Sequence, residues 1–78
     1  MIPRHLPKLV TDALAQEWRV DLRPNRTYLS AYFTSRDGLT NVHIEWSEGR
    51  VDASSIDGTP TPYAQCTRLI RSPEGATS

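Results

Sequence analysis

The chain has little of several residue types on which common kinds of functional site depend. Among its 78 residues there is one cysteine, Cys66, and there are two histidines, His5 and His43. A single cysteine can form neither an intramolecular disulfide nor a cysteine-based zinc site, and this usage is typical of a reducing compartment. Because the two histidines and the cysteine lack the spacing of metal ligands, we expect no metal and no cofactor.

Long apolar runs and glycine-rich loops are also missing. The N-terminal segment has no apolar stretch of the kind found in signal peptides, and no segment approaches the roughly 20 apolar residues of a membrane span. We therefore expect a cytoplasmic protein with no membrane partner. The four glycines are isolated turn residues, without the pattern of a phosphate-binding loop.

Neither sign of charge is in excess. Nine Lys and Arg residues balance nine Asp and Glu residues, so the formal net charge is zero. A dedicated nucleic-acid-binding domain usually carries a basic excess, and this balance disfavours nucleic acid as the partner. The length fits one domain, which we place at residues 1–72 and expect to be followed by a flexible tail over residues 73–78.

Helical periodicity appears near both ends of the chain. Apolar residues spaced by three and four between Leu6 and Leu14 predict a helix that begins near Pro7 and ends near Glu17. A second helical stripe predicts a short helix over residues 62–71, with a fifth strand as the alternative. The residues of this second stripe are Tyr63, Cys66, Leu69 and Ile70.

Between the two helical segments the apolar period changes to two, which is typical of half-buried strands. The four alternating segments contain Trp18–Leu22, Leu29–Phe33, Val42–Trp46 and Val51–Ala53. Turn signals that separate or end them stand at Arg23–Arg26, Asp37–Gly38, Glu48–Gly49 and Asp57–Gly58.

Two of these turns predict the strand registers. A two-residue turn at Asp37–Gly38 places Phe33 opposite Val42 and Leu29 opposite Trp46, so apolar residues face apolar residues. A two-residue turn at Glu48–Gly49 gives a second set of pairs. That set is Trp46 with Val51, Ile44 with Ala53, His43 with Ser54, and Glu45 with Asp52.

The polar pairs of the second set lie on an exposed sheet face. His43, Asp52, Ser54 and Ser55 are predicted to lie close together there, but a catalytic serine also needs a cleft with an oxyanion hole, which a flat exposed sheet does not offer. Two carboxylates without further oxygen ligands do not make a calcium site. We therefore expect a protein that is not an enzyme and has no catalytic residues.

Together the patterns predict an α+β fold in the order α-β-β-β-β-α. We expect a four-stranded antiparallel meander with an N-terminal helix and a short C-terminal helix packed on one face. The apolar face of the sheet, which we expect the two helices to cover, carries Trp18, Leu29, Phe33, Val42, Ile44, Trp46 and Val51. The order resembles double-stranded-RNA-binding domains in topology alone, since residues 61–65 lack the lysines with which that family begins its last helix.

The opposite face is predicted to be open and to bind the partner. Its candidate binding residues are Tyr28, Tyr32, His43, Arg19, Arg23 and Arg50. Because Tyr and Arg are typical of protein interfaces, we expect a small interaction or regulatory module that binds a protein, a second copy of itself being one option. The alternative is a small nucleic-acid-binding domain, since Tyr, His and Arg on a sheet can stack on bases. An ordinary solvated face is the third interpretation.

Overall fold

A computed structural model of the chain describes residues 6–72. The elements in chain order are α1 at Leu6–Ala15, β1 at Arg19–Asn25, β2 at Tyr28–Thr34, β3 at Asn41–Ser47, β4 at Arg50–Ile56, β5 at Thr59–Pro60 and α2 at Tyr63–Arg71. The strands form one antiparallel sheet in sequence order. The α+β prediction is confirmed, with one short strand more than expected, and the predicted tail lies outside the described residues.

The core lies between the two helices and one face of the sheet, which we call the inner face. Its fully or nearly fully buried apolar residues are Leu6, Leu9, Ala13, Trp18, Leu29, Ala31, Phe33, Val42, Ile44, Trp46, Cys66 and Ile70. These are the inward positions that the helical and strand periods predict. Burying a large apolar side chain contributes roughly 1.5–3 kcal/mol to stability, so this cluster supplies the main stabilising term. None of the helices among residues 6–72 is long and apolar enough to cross a membrane.

Helix α1 ends two residues earlier than the apolar pattern predicts. Glu17 adopts a left-handed conformation with φ of 64°. Its N–H donates to the Leu14 carbonyl, and the Trp18 N–H donates to the Ala13 carbonyl. These are the two hydrogen bonds of a Schellman cap, which ends a helix and turns the chain into the following strand.

The predicted turn at Arg23–Arg26 is wrong. Strand β1 continues through Pro24 to Asn25, and the turn to β2 consists of Arg26 and Thr27, with a φ of 55° at Arg26. Proline is tolerated in this strand because β1 is the edge of the sheet, where the missing N–H faces away from β2.

The hairpin of β2 and β3 has the predicted register. Leu29 lies opposite Trp46, and Phe33 lies opposite Val42. The connecting loop is longer than the predicted two-residue turn. The cross-strand hydrogen bond next to the loop runs from the Ser35 N–H to the Thr40 carbonyl at 2.9 Å. The four residues between them make the turn without changing the register.

A β-bulge in β4 overturns most of the second predicted register. Trp46 lies opposite Val51 as predicted, but the register then shifts and Asp52 has no cross-strand partner. Beyond the bulge the pairs are Glu45 with Ala53, Ile44 with Ser54, and His43 with Ser55. The three predicted pairs Ile44 with Ala53, His43 with Ser54, and Glu45 with Asp52 are therefore wrong. One extra residue reverses the faces of all later side chains, which turns Ser54 and Ile56 inward.

The helices do not cover the whole inner face. Val51, predicted to be covered, is 41% exposed at the corner of the sheet, and Leu22 on the edge strand is 40% exposed. Helix α2 has the predicted position, and it buries Cys66, Thr67 and Ile70. The uncovered apolar residues of the inner face therefore lie at a corner and at one edge of the sheet.

Candidate functional site

The predicted binding residues lie on the face of the sheet opposite the helices, which we call the outer face. Four rows of cross-strand neighbours cross this face: Arg19, Thr34 and Asn41; Asp21, Tyr32, His43 and Ser55; Arg23, Ser30, Glu45 and Ala53; and Asn25, Tyr28, Ser47 and Arg50. Tyr28 is 47% exposed and Tyr32 is 40% exposed. The outward orientation predicted for the two tyrosines is therefore confirmed.

Tyr32 and His43 form a stacked pair at the centre of the outer face. Their ring centroids are 4.5 Å apart and their planes differ by 10°. The separation is close to the spacing of roughly 4.7–4.9 Å between neighbouring strands. The two rings therefore stand side by side on adjacent strands and turn their faces toward each other.

Arg23 contacts the Tyr32 ring from β1, which lies on the opposite side of β2 from the strand of His43. Its Cζ lies 5.3 Å from the ring centroid, within the range of a cation–π contact. Its Nε also lies 3.0 Å from Oδ2 of Asp21, so the guanidinium is held by a carboxylate and a ring together. Tyr32 thus has Arg23 against one face and His43 against the other.

This arrangement determines what the cluster of Arg23, Tyr32 and His43 offers to a ligand. Both faces of the Tyr32 ring are in contact with the chain itself, so the ring presents its edge to solvent. The positive charge of Arg23 is already balanced by Asp21. A flat base would find no open Tyr32 face, whereas an uneven protein surface can pack against ring edges and the guanidinium.

His43 carries an unsatisfied polar atom within this cluster. Its Nε2 is buried and has no hydrogen-bond partner among the described residues, a condition that Trp18 Nε1 shares in the core. A buried donor or acceptor left without a partner costs roughly 1–3 kcal/mol.

The remaining predicted residues stand apart from the cluster. Tyr28 lies opposite Ser47, and Arg50 lies opposite Ser47 on the other side, which leaves one strand between Tyr28 and Arg50. Arg19 lies at the far end of β1, opposite Thr34. The structure therefore brings together three of the six predicted residues and spreads the other three along the rim.

Metal-ligating side chains do not form a cluster in the described part of the chain. Among residues 6–72 no three His, Cys, Asp or Glu side chains come close enough to hold a metal ion. Cys66 is buried, and its burial raises the pKa of the thiol. A thiol in this environment is protonated at neutral pH and is a poor nucleophile.

One feature of the surface escaped the sequence patterns. An apolar groove with a volume of about 320 Å³ lies between the start of α1 and strand β1, on the inner-face side. Its lining residues are Leu6, Pro7, Val10, Leu22, Pro24 and Leu29. The alternation of β1 indicated an inward Leu22, but the interpretation of Pro24 as a turn residue ended the predicted edge strand before Pro24, which also lines the groove.

Comparisons of the chain with protein-family models, with curated proteins and with solved structures give no match.

Proposed function

We propose that this chain is a non-enzymatic interaction module that binds a protein partner through the outer face of its sheet. The observation that carries the proposal is the cluster in which Tyr32 stands between Arg23 and His43. Tyrosine and arginine supply much of the binding energy in protein interfaces, and both are already oriented here by contacts within the chain. A side chain held in place before binding loses little entropy when the partner arrives.

The same geometry argues against nucleic acid as the partner. Single-stranded nucleic acid binds to sheets by stacking bases on open aromatic faces and by attraction between phosphates and a basic groove. Tyr32 has no open face, and Arg23 is paired with Asp21. The chain as a whole has no net charge to attract phosphates.

The proposal is tested by affinity capture from the native cell lysate, with and without nuclease. The double variant Tyr28→Ala, Tyr32→Ala removes both rings from exposed positions and should leave the fold intact by circular dichroism. Leu39→Ala is the control, because Leu39 is 74% exposed in the β2–β3 loop and lies off the outer face. We expect the wild type and the control to capture the same protein, and the double variant to lose it.

Once a partner is identified, its affinity measures the contribution of each ring. Tyr32→Ala should weaken binding by about 1–2 kcal/mol or more, which is the range of an interface hot spot. Capture that disappears on nuclease treatment would indicate that the outer face binds nucleic acid. Equal capture by the wild type and the double variant would show that the outer face is only solvated.

A further inference from the structure

The two edges of the sheet differ in their ability to pair with another strand. One edge consists of β5, which has two residues and includes Pro60, and of residues 50–54 of β4, which β5 does not pair and which the bulge at Asp52 interrupts. The other is β1, which has seven residues, and no described strand pairs with its outer side. Proline and a β-bulge both blunt an edge, whereas a long, regular, unpaired edge is a template for strand addition.

The hydrogen bonds at the two ends of β2 show whether the backbone of each β2 residue is hydrogen-bonded to β1 or to β3. The Ser35 N–H donates to the Thr40 carbonyl at 2.9 Å, and the Glu48 N–H donates to the Thr27 carbonyl at 2.9 Å. Odd-numbered residues along β2 therefore bond toward β3. Because successive residues of a strand bond to opposite neighbours, the even-numbered residues of β2 bond toward β1.

The register of β1 then identifies the backbone groups at the open edge. Even-numbered residues of β2 pair with odd-numbered residues of β1. The even-numbered residues of β1, which are Val20, Leu22 and Pro24, consequently direct their backbone groups outward. Val20 and Leu22 offer an N–H and a carbonyl each, and Pro24 offers a carbonyl alone.

Apolar side chains accompany this open edge on the helix side. Leu22 is 40% exposed and lines the groove with Val10 and Pro24. Leu14 is 57% exposed and lies one helical turn after Val10, on the same flank of α1. The opposite flank of α1 carries Asp12, whose Oδ2 is 2.8 Å from Nε of Arg71 on α2. The flank with Val10 and Leu14 thus faces away from α2, beside the open edge.

The charges of β1 indicate what pairs with it. Leu22 is the central residue of Arg19–Asn25, with Asp21 before it and Arg23 after it. Two β1 strands paired antiparallel about Leu22 would place Asp21 of each copy opposite Arg23 of the other. Pairing about Asp21 or about Arg23 would bring like charges directly opposite, which is destabilising.

Pairing about Val20 would also oppose unlike charges, but it would use less of the strand. In that register Leu22 would lie opposite Trp18 of the other copy. Trp18 lies outside β1 and is 2% exposed in the core, so it is unable to join a ladder. The Leu22 register uses all seven residues of both strands.

We propose that this chain forms a twofold-symmetric homodimer by antiparallel pairing of two β1 strands centred on Leu22. The Leu22 N–H of each copy donates to the Leu22 carbonyl of the other, and each Val20 N–H donates to the other copy's Pro24 carbonyl. Leu14 and Leu22 meet their twofold mates on the helix side. Asp21 and Arg23 of both copies form one charge network on the outer side.

The homodimer is closed because each of its free edges is blunted by Pro60 in β5 and by the bulge in β4. It also gives a thin core additional apolar burial, from which a domain of this size benefits. The two sheets become one, so the outer faces of both copies form a continuous surface. The proposal does not depend on the protein partner suggested above, since it rests on the backbone edge of β1 and not on the exposed rings of the outer face, although Arg23 takes part in both.

Sedimentation equilibrium of the full chain tests the association, from about 1 μM to about 1 mM, which spans weak to moderate affinities. We expect a mass that rises with concentration toward twice the 8.8 kDa of one chain. A mass that stays at one chain throughout would overturn the proposal. The double variant Tyr28→Ala, Tyr32→Ala should dimerise like the wild type, so failure of the outer-face proposal is distinguishable from failure of this one.

Charge reversal tests the register. Asp21→Arg and Arg23→Asp each create two like-charged cross-strand pairs, and each should weaken the dimer about tenfold or more. The double reversal Asp21→Arg, Arg23→Asp restores unlike pairs within and between copies and should recover dimerisation. A dimer weakened by Asp21→Arg and not by Arg23→Asp would place the twofold axis elsewhere and overturn the proposed register.

Amide hydrogen exchange tests whether β1 itself forms the interface, because association through another surface would not change the exchange rates of the outward-directed β1 amides. The Val20 and Leu22 amides should exchange fast in dilute protein and slowly in concentrated protein, whereas the Asp21 and Arg23 amides should be protected in both. Leu22→Lys places a charge at the centre of the pairing and should abolish the concentration dependence at Val20. Fast exchange of Val20 and Leu22 at concentrations where the chain is dimeric would overturn the edge-strand interface.

Discussion

The indole of Trp46 on β3 meets the ring of Tyr63 on α2 edge to face, with centroids 6.4 Å apart and ring planes at 79°. Trp46 is 3% exposed and lies opposite both Leu29 and Val51 in the sheet. An edge-to-face pair contributes about 0.5–1.5 kcal/mol beyond the burial of its area. This contact therefore joins the C-terminal helix to the centre of the sheet.

Replacing Trp46 by alanine should remove most of the stability of the domain. Loss of a buried tryptophan costs about 3–5 kcal/mol, which is comparable to the whole free energy of unfolding of a chain this small. Urea unfolding followed by circular dichroism measures the loss. Trp46→Phe is the control, since it retains a ring against Tyr63 and should lose less. An unchanged unfolding midpoint for Trp46→Ala would contradict the position of Trp46 in the core.

The sequence predicts the meander well where large apolar residues alternate strictly, as in β2 and β3. It fails in β4 because Ala53 and Ser54 are small and tolerate either face. The feature of the sequence that indicates the β-bulge is the spacing of Val51 and Ile56. These residues are five positions apart and would face opposite sides of a regular strand. Only an inserted residue lets both face inward, and Asp52 is that residue.

The candidate site was predictable to a similar degree. Alternation and register place Tyr32 beside His43 and direct both outward, because cross-strand neighbours follow from pairing alone. The stacking of the two rings and the position of Arg23 over Tyr32 depend on side-chain rotamers, which no residue pattern contains. The continuation of the edge strand β1 through Pro24 was missed because proline is common in turns, although proline is tolerated in an edge strand.

Glycine at position 17 should stabilise the end of α1 relative to alanine. Glu17 has a φ of 64°, a conformation that costs a residue with a Cβ roughly 1–2 kcal/mol and costs glycine little. Both Glu17→Gly and Glu17→Ala lose the ion pair with Arg36 Nη1, so their comparison isolates the backbone effect. We expect Glu17→Gly to be more stable than Glu17→Ala by about 1 kcal/mol in urea unfolding. Equal stability of the two variants would mean that the Schellman cap is absent in solution.

The Asp37 loop should make a pH-dependent contribution to stability. The Ser35 hydroxyl and the Leu39 N–H donate to the Asp37 carboxylate at 2.6 and 3.0 Å, and they hold the pKa of that carboxyl below its usual value. A carboxyl whose pKa is lower in the folded state stabilises the fold above its unfolded pKa of roughly 3.9. That contribution is lost as the pH falls through the folded pKa.

Asp37→Asn measures this contribution because asparagine has a similar shape and does not titrate. The stability difference between the wild type and Asp37→Asn should be largest near neutral pH and should shrink below about pH 4. Urea unfolding at a series of pH values gives the difference directly. A difference that stays constant down to about pH 2 would show that the Asp37 carboxylate gains nothing from its two donors.

We expect the protein to bind neither single- nor double-stranded nucleic acid tightly at physiological salt. Phosphate binding depends on an excess of positive charge, and the nine cationic residues of this chain are balanced by nine anionic residues. Within the outer face, Arg23 is paired with Asp21, and Tyr32 has both ring faces in contact with its neighbours. Fluorescence anisotropy with labelled DNA and RNA probes should therefore show no submicromolar binding at about 0.15 M salt, where weak surface contacts are strongly screened.

Asp21→Asn, which releases Arg23 and adds one unit of net positive charge, is the matched variant, and it should bind the probes more strongly than the wild type at low salt. Submicromolar binding by the wild type, lost in Tyr32→Ala, would instead make the outer face a nucleic-acid-binding surface.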